Sequence, residues 1–159
     1  MTELVEIRDA DFSWFLGGAT TRPGLSQPPG GVDTPETLAI VRTIHAALGG
    51  DGQPGSWMMV EEGEVVGLCG YVRPLGDGGM VEIGYGVAAA RRRLGHAGRA
   101  VAAMVAMARN DGGLRAVTAV TAEDNLPSHG VLIQNGFVQT GREDRDEDGP
   151  VILWRLDLA

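Results

Sequence analysis

Three groups of residues in this chain have types and spacings that could do chemistry. The first runs from Arg91 to Gly98, RRRLGHAG, and contains R-x-x-G-x-A at Arg92, Gly95 and Ala97. Guanidinium groups fork onto phosphate oxygens through paired N–H donors. Small residues at Gly95, Ala97 and Gly98 let a backbone come close to a ligand without side chains in the way. Where such a turn opens a helix, the first N–H groups are unpaired and the helix dipole adds partial positive charge beside them. The implied chemistry is retention of a pyrophosphate. The second group is Glu82 with the small-residue strand pattern that follows it, Gly84-Tyr85-Gly86-Val87. The third is an amide and a hydroxyl at N-x-x-S spacing, Asn125 and Ser128, followed by Gly136-Phe137.

The elements that must hold these groups can be read from pattern. Met80 to Ala88 reads as a strand, and His96 to Asn110 as a helix apolar nearly all round, to be buried on most sides. Asp111-Gly112-Gly113 stops it. Leu114 to Thr121 alternates and is β-branched, so it reads as a strand. Leu126 to Asn135 reads as a short helix, ended by Gly136 in a left-handed cap position.

Upstream, Val5 to Arg8 reads as a first strand. Asp9 or Asp11 is placed to cap a short helix carrying Phe12, Trp14, Phe15 and Leu16. Pro and Gly punctuate Gly17 to Gly31 throughout, which makes a long loop of the kind that is functional or mobile. Thr34-Pro35 is a helix start, with Leu38, Val41, Ile44 and Leu48 on one face and Gly49-Gly50 at the end. Trp57 to Glu61 and Glu64 to Arg73 read as a hairpin through Glu62-Gly63. Phe137 to Arg142 and Val151 to Asp157 form a last hairpin around a charged loop. The order is β-α-α-β-β-β-α-β-α-β-β, an α/β fold with a mixed sheet.

Composition sets the wider bounds. At 159 residues and 43% hydrophobic content, one soluble domain over residues 1–159 is expected, with a real core. No window is apolar enough for a membrane span, and the start MTELVEIRD is too polar for a secretory signal. One cysteine, Cys69, excludes an internal disulfide and fits a cytoplasmic protein. It sits in a buried strand pattern and reads as core. A net charge of −8 argues against nonspecific nucleic-acid binding. All 13 basic residues are arginine, so self-acylation on a lysine side chain is excluded. No residue cluster has metal-ligand spacing.

The turn at Arg92 to Gly98 and the later N-x-x-S…G-F resemble the GCN5-related N-acetyltransferase superfamily. The likeness is closest to its ribosomal-protein-alanine acetyltransferase branch, and it covers residues 56–141 well. It implies an acyl-coenzyme A fold in which the strand of Tyr85 and Val87 splays from the following parallel strand. Amide groups of Tyr85 and Val87 would then meet the pantetheine arm, which fills the gap as a surrogate strand. The resemblance places Arg92, Arg93, Leu94, Gly95, His96, Ala97 and Gly98 on the pyrophosphate of acetyl-coenzyme A, with Asn125 on the pantetheine or a water.

Amide formation from a thioester needs an amine that has lost a proton, a polarised carbonyl and a proton for the leaving thiolate. Some family members place a general base at the position of Glu82. Many use a tyrosine acid at the position that is Leu132 here, so Ser128 is expected as the substitute. The resemblance implies an amine acceptor, a small molecule or a peptide N-terminus, and is compatible with a homodimer. Arg142 to Gly149, with five acids against two arginines, would attract a cation or else stand as a solvated hairpin tip.

Two rival readings remain at this stage. Without the tyrosine acid, a non-catalytic acyl-coenzyme A-binding module fits the same residues. Gly84, Gly86 and Ala89 also spell G-x-G-x-x-A, a dinucleotide fingerprint. However, these glycines lie inside a strand pattern, and the nearest strand-end acid, Glu123, is too distant.

Overall fold

The computed structural model describes residues 1–53, 55–76 and 78–158. Its elements are β1 (Glu3–Glu6), α1 (Asp9–Phe15), α2 (Pro35–Ala47), β2 (Ser56–Glu61), β3 (Glu64–Tyr71), β4 (Met80–Val87), α3 (His96–Asn110), β5 (Ala116–Ala122), α4 (Leu126–Gln134), β6 (Val138–Arg145) and β7 (Gly149–Asp157). The order matches the one read from the sequence. The seven strands form one sheet in the order β1-β2-β3-β4-β5-β7-β6. Only β4 and β5 run parallel; every other neighbouring pair is antiparallel.

Each face of the sheet has its own core. Phe12, Trp14 and Phe15 of α1 and Leu38 of α2 pack on one face with Met58, Val65 and Leu68. On the other face, Val101, Met104 and Val105 of α3 and Leu132 of α4 pack with Val81, Ile83, Val117 and Trp154. No helix among the described residues is long and apolar enough to cross a membrane.

Local chemistry explains the element ends. Thr34 caps α2 as expected, its hydroxyl accepting from Thr37 N–H at 3.2 Å. Glu62 and Gly63, both at positive φ (49° and 80°), close the β2–β3 hairpin in the conformation that matches strand twist. At the end of α4, Gly136 takes φ +87°. Phe137 N–H donates to Leu132 C=O, and Gly136 N–H to Ile133 C=O, at 3.0 Å each. This is a Schellman closure, with buried Phe137 and Leu132 joining the same core. The Gly-Phe pair therefore ends α4 and anchors it.

Several boundaries and burials differ from the sequence reading. β1 begins two residues earlier, because Glu3–Glu6 pair with Trp57–Val60. Neither aspartate caps α1: Arg8 holds the cap position, and Asp11 accepts from Arg8 N–H at 2.8 Å. Leu16 falls outside α1 and is exposed. Buried α3 residues lie on one face, and Ala102 and Ala106 face solvent. Alanine stabilises an exposed helix position by propensity alone, so an alanine-rich helix need not be enclosed. Residues 142–149 are not a broad charged loop, since β6 and β7 continue through them in register from Glu143–Val151 to Arg145–Gly149.

The Gly17–Gly31 segment has no helix or strand but is tied down. Ser26 bridges Gly63 and Val65 through backbone hydrogen bonds of 2.9 Å. Thr21 and Arg22 both bond the buried Asp11 carboxylate.

Candidate functional site

The parallel pair β4–β5 is joined at one end only. Register runs from Met80–Ala116 to Ile83–Ala119 and stops there, although β4 continues through Val87. Val72 N–H bonds Glu82 C=O, and Ala88 N–H bonds Val66 C=O, so the even-numbered positions of β4 turn their backbone groups toward β3. The backbone groups of Tyr85 and Val87 therefore turn toward the side where β5 has diverged. Arg92 Nε donates to Val87 C=O at 3.4 Å. A splay at this strand pair, with Tyr85 and Val87 lining it, is what the sequence reading anticipated.

A groove of about 620 Å³ runs from the splay to the start of α3. It is lined by Tyr85, Gly86 and Val87, by residues 91–93 and 95–98 of the turn and α3, and by Asn125 and Ser128 at the start of α4. Gly95 stands at the α3 cap with φ +83°, and no side chain caps the helix. The first intrahelical bond recorded across the cap is Arg99 N–H to Gly95 C=O, so the N–H groups of His96, Ala97 and Gly98 have no helical acceptor. A Cβ on Gly98 would meet nothing within 4 Å, leaving that N–H open to a bulky anion. Leu94, expected in the same cradle, is exposed beside the groove and does not line it.

The three arginines differ in their freedom. Arg91 is committed to Glu64 by a bidentate pair at 2.6 and 3.1 Å. Arg92 and Arg93 form no ion pair among the described residues and are exposed at the groove. Arg93 has positive φ (66°), a conformation that costs a non-glycine residue energy. The turn at 92–98 thus presents the helix-start N–H groups of α3 to the groove, with Arg92 and Arg93 beside them in no ion pair among the described residues.

His96 is not a surface residue. It is buried, and its Nδ1 lies 3.0 Å from Arg99 Nη2, which can only donate. Burial, then the charge of Arg99, holds its pKa below the usual histidine value. It is neutral at pH 7 and serves the turn through its backbone. His129 is held by Ala122 C=O at 3.1 Å and rests against the Trp154 ring.

Asn125 Oδ1 accepts from Ser128 N–H at 3.3 Å and so caps α4. Leu132, at the position where the family resemblance implies a tyrosine, is fully buried in the core. Another tyrosine stands nearby. Tyr85 reaches from β4 across the splay, its hydroxyl donating to Ser128 C=O at 3.5 Å. Burial keeps its pKa above the ordinary tyrosine value, partly countered by the Ser128 contact.

Behind β4, on the α2 side, lies a second cleft of about 150 Å³. Asp33, Tyr85 and Gly86 line both cavities and so mark their junction. Asp33 went unnoticed in the sequence because an acid just before a Thr-Pro helix start looks like ordinary turn chemistry. Only the packing of α2 over β4 brings it above Gly86. Glu82 shares that face of β4, one pleat beyond Gly84, about 7 Å along the strand. It pairs with Arg73 at 3.2 Å and lines neither cavity. The acidic hairpin 142–149 also lines neither, and its arginines pair with Glu123 and Glu143. Cys69 is buried in the core, its thiol pushed up to about 12 by desolvation. Among the described residues, no group of three His, Cys, Asp or Glu side chains is placed to hold a metal ion.

Comparison with known proteins gives the same architecture. The family model for the acetyltransferase (GNAT) domain matches residues 3–138. A Bacillus subtilis protein described as the uncharacterized N-acetyltransferase YjdG is 29% identical over 105 residues. That match takes in 65% of this chain and 62% of the relative, so the chain spans under two thirds of the relative's length. Among solved structures, RimL, a ribosomal L7/L12 α-N-protein acetyltransferase in complex with coenzyme A, superposes with a TM-score of 0.72 at 15% identity, covering 98% of this chain and 93% of that one. The aminoglycoside acetyltransferase AAC(6')-Ib, in complex with coenzyme A, superposes with a TM-score of 0.66 at 18% identity over 99% and 95% of the two chains.

Proposed function

The chain belongs to the GNAT acetyltransferase family, and from that premise we propose that it is an acetyl-coenzyme A-dependent N-acetyltransferase acting on a primary amine by direct transfer in a ternary complex. The observation that carries the reading is the β4–β5 divergence, flanked by an arginine-lined groove and a smaller cleft that meet at Asp33, Tyr85 and Gly86. A donor and an acceptor entering from opposite faces of the sheet meet where the sheet opens.

Each part of the groove has a task in this reading. Backbone N–H groups of His96, Ala97 and Gly98, with Arg92 and Arg93, hold the pyrophosphate; Leu94 serves only as the turn that presents Gly95. Tyr85 and Val87 offer the backbone groups that face the gap to the pantetheine amides as a neighbouring strand would, the Arg92 contact to Val87 C=O giving way. Asn125 fixes the start of α4 against that arm. Acetyl-coenzyme A supplies the thioester carbonyl, the carbon that the amine nitrogen attacks as the C–S bond breaks. Glu82, four residues and about 13 Å along β4 from Gly86 on the acceptor face, takes the amine proton through a chain of waters, and Ser128 returns a proton to the sulfur.

Tyr85 supports a second reading of that last step. Its phenol stays protonated and lies beside Ser128. A Tyr85→Phe variant that loses more turnover than Ser128→Ala would give the acid role to Tyr85.

The reading extends to a single catalytic domain over residues 1–159, working in the cytoplasm. Two-substrate kinetics test the direct transfer. Intersecting reciprocal plots are expected; parallel plots would mean a covalent acyl-enzyme and would overturn it.

A further inference from the structure

The two cavities are opposite in charge. Arg91, Arg92 and Arg93 line the donor groove, whereas no arginine lines the acceptor cleft. Among the described residues lining that cleft, Asp33 is the only Asp, Glu or Arg. Cys69, Tyr71 and Tyr85 also border it, with their side chains packed against the core on the α3 side of the sheet. The walls are mostly apolar, formed by Val41 and Ile44 of α2, Leu68 of β3 and Val72 beyond it, with Thr37 and Ser56 as the uncharged polar side chains.

Asp33 is fixed for binding. Its Oδ1 accepts from Thr34 N–H at 2.7 Å. Its Oδ2 is directed over β4, where a Cβ on Gly86 would come within 3.3 Å of it. Glycine at 86 leaves that oxygen open at the junction with the donor groove. A charge-assisted hydrogen bond from an ammonium suits a carboxylate placed so. An apolar cavity of about 150 Å³ is large enough to take up benzene.

We propose that the acceptor is a small primary amine bearing one positive charge on an apolar body, its ammonium held by Asp33 Oδ2 beside Gly86 and its body seated among Val41, Ile44 and Leu68. The assignment rests on the acetyltransferase reading above. A polyamine would bring a second ammonium among these walls, where the hydroxyls of Thr37 and Ser56 but no second carboxylate line the cleft.

Acetylation of 2-phenylethylamine, isopentylamine, spermidine and a polar N-terminal peptide, by wild type and Asp33→Asn, tests this, with the coenzyme A Kd measured on both proteins. The apolar monoamines are expected to exceed spermidine and the peptide at least tenfold in kcat/KM. Asp33→Asn should raise the monoamine KM at least tenfold while the coenzyme A Kd stays within twofold. Wild type supplies an independent arm. N,N-dimethyl-2-phenylethylamine, charged but unable to yield a stable amide, should compete at least tenfold better than uncharged 2-phenylethanol.

Preference for spermidine or the peptide, equal inhibition by the charged and uncharged analogues, or an unchanged KM in Asp33→Asn would each overturn the assignment. Coenzyme A binding with no turnover of any monoamine would also overturn it, leaving the donor site intact. Failure of wild type to bind coenzyme A would overturn the acetyltransferase reading together with it.

Discussion

Gly95 separates backbone strain from charge in one position. Its φ of +83° is a left-handed conformation, and a Cβ there would lie 2.7 Å from Arg99 Nη1. Gly95→Ala therefore has two costs in the folded protein. The left-handed backbone costs a non-glycine residue about 1–2 kcal/mol. Arg99 can swing away, since it is exposed, but in doing so it gives up its contacts to Leu94 C=O (3.1 Å) and Thr2 (3.0 Å). At a solvent-exposed site those add a few tenths to about 1 kcal/mol.

A loss of about 2 kcal/mol in a domain of this size lowers Tm by about 4–8 °C. Gly95→Glu carries the same backbone cost and adds a negative charge where the pyrophosphate would lie. Like charges about 4 Å apart repel by up to about 4 kcal/mol at an effective dielectric of about 20. In an open groove, solvent reduces this to about 2–3 kcal/mol, so Kd for coenzyme A should weaken by about 30- to 150-fold beyond Gly95→Ala. Differential scanning and titration calorimetry on the two variants read both quantities. Equal Tm losses with a large difference in Kd support the cradle. A Gly95→Glu Kd within threefold of that of Gly95→Ala would refute the claim that phosphate sits at the start of α3.

Three further outcomes follow from the same contacts. Glu82→Gln should lower kcat at neutral pH by about 100-fold, the lower end for loss of a general base, without changing coenzyme A affinity; full activity would remove Glu82 from the mechanism. Burial raises the Asp11 carboxyl, but its bonds from Arg22, Thr21 and Arg8 N–H outweigh that and hold it below the ordinary aspartate value. The stability it contributes is complete above about pH 4, the unfolded-state pKa, and is lost as pH falls through the lower folded value. Asp11→Ala should cost about 2–4 kcal/mol at pH 7 in urea unfolding and flatten stability against pH below 4; an unaltered acid limb would show that Asp11 does not tie α1 to the 17–31 segment. Cys69 should resist alkylation in the native protein at pH 8, because its thiol is buried and titrates at about 12; rapid labelling without unfolding would contradict its burial.

The legible parts of this protein were those fixed by local chemistry. Thr34-Pro35, Gly95 and Gly136 mark helix ends through their own backbone geometry, so α2, α3 and α4 begin or end where the sequence places them. The open start of α3 was readable for the same reason: its N–H groups are consecutive backbone groups. What depended on distant packing was not readable. Arg91 looks like a phosphate ligand until Glu64, 27 residues away, takes its guanidinium. Asp33 looks like a turn residue until α2 carries it over Gly86. The acidic run at 142–149 looks like a cation trap, but pairing of β6 with β7 sets it away from both cavities. The alanines of α3 look like core, because composition cannot say which side of a helix faces the sheet.

The most direct test of the central claim is calorimetric titration with acetyl-coenzyme A, with NADH as the control, followed on the same sample by thiol release in the presence of an apolar monoamine. The account predicts saturable binding of acetyl-coenzyme A, none of NADH, and release of free thiol only when the amine is present. No binding of acetyl-coenzyme A would contradict the assignment of the Arg92–Gly98 turn, and NADH binding in its place would make the G-x-G-x-x-A at Gly84, Gly86 and Ala89 the working motif.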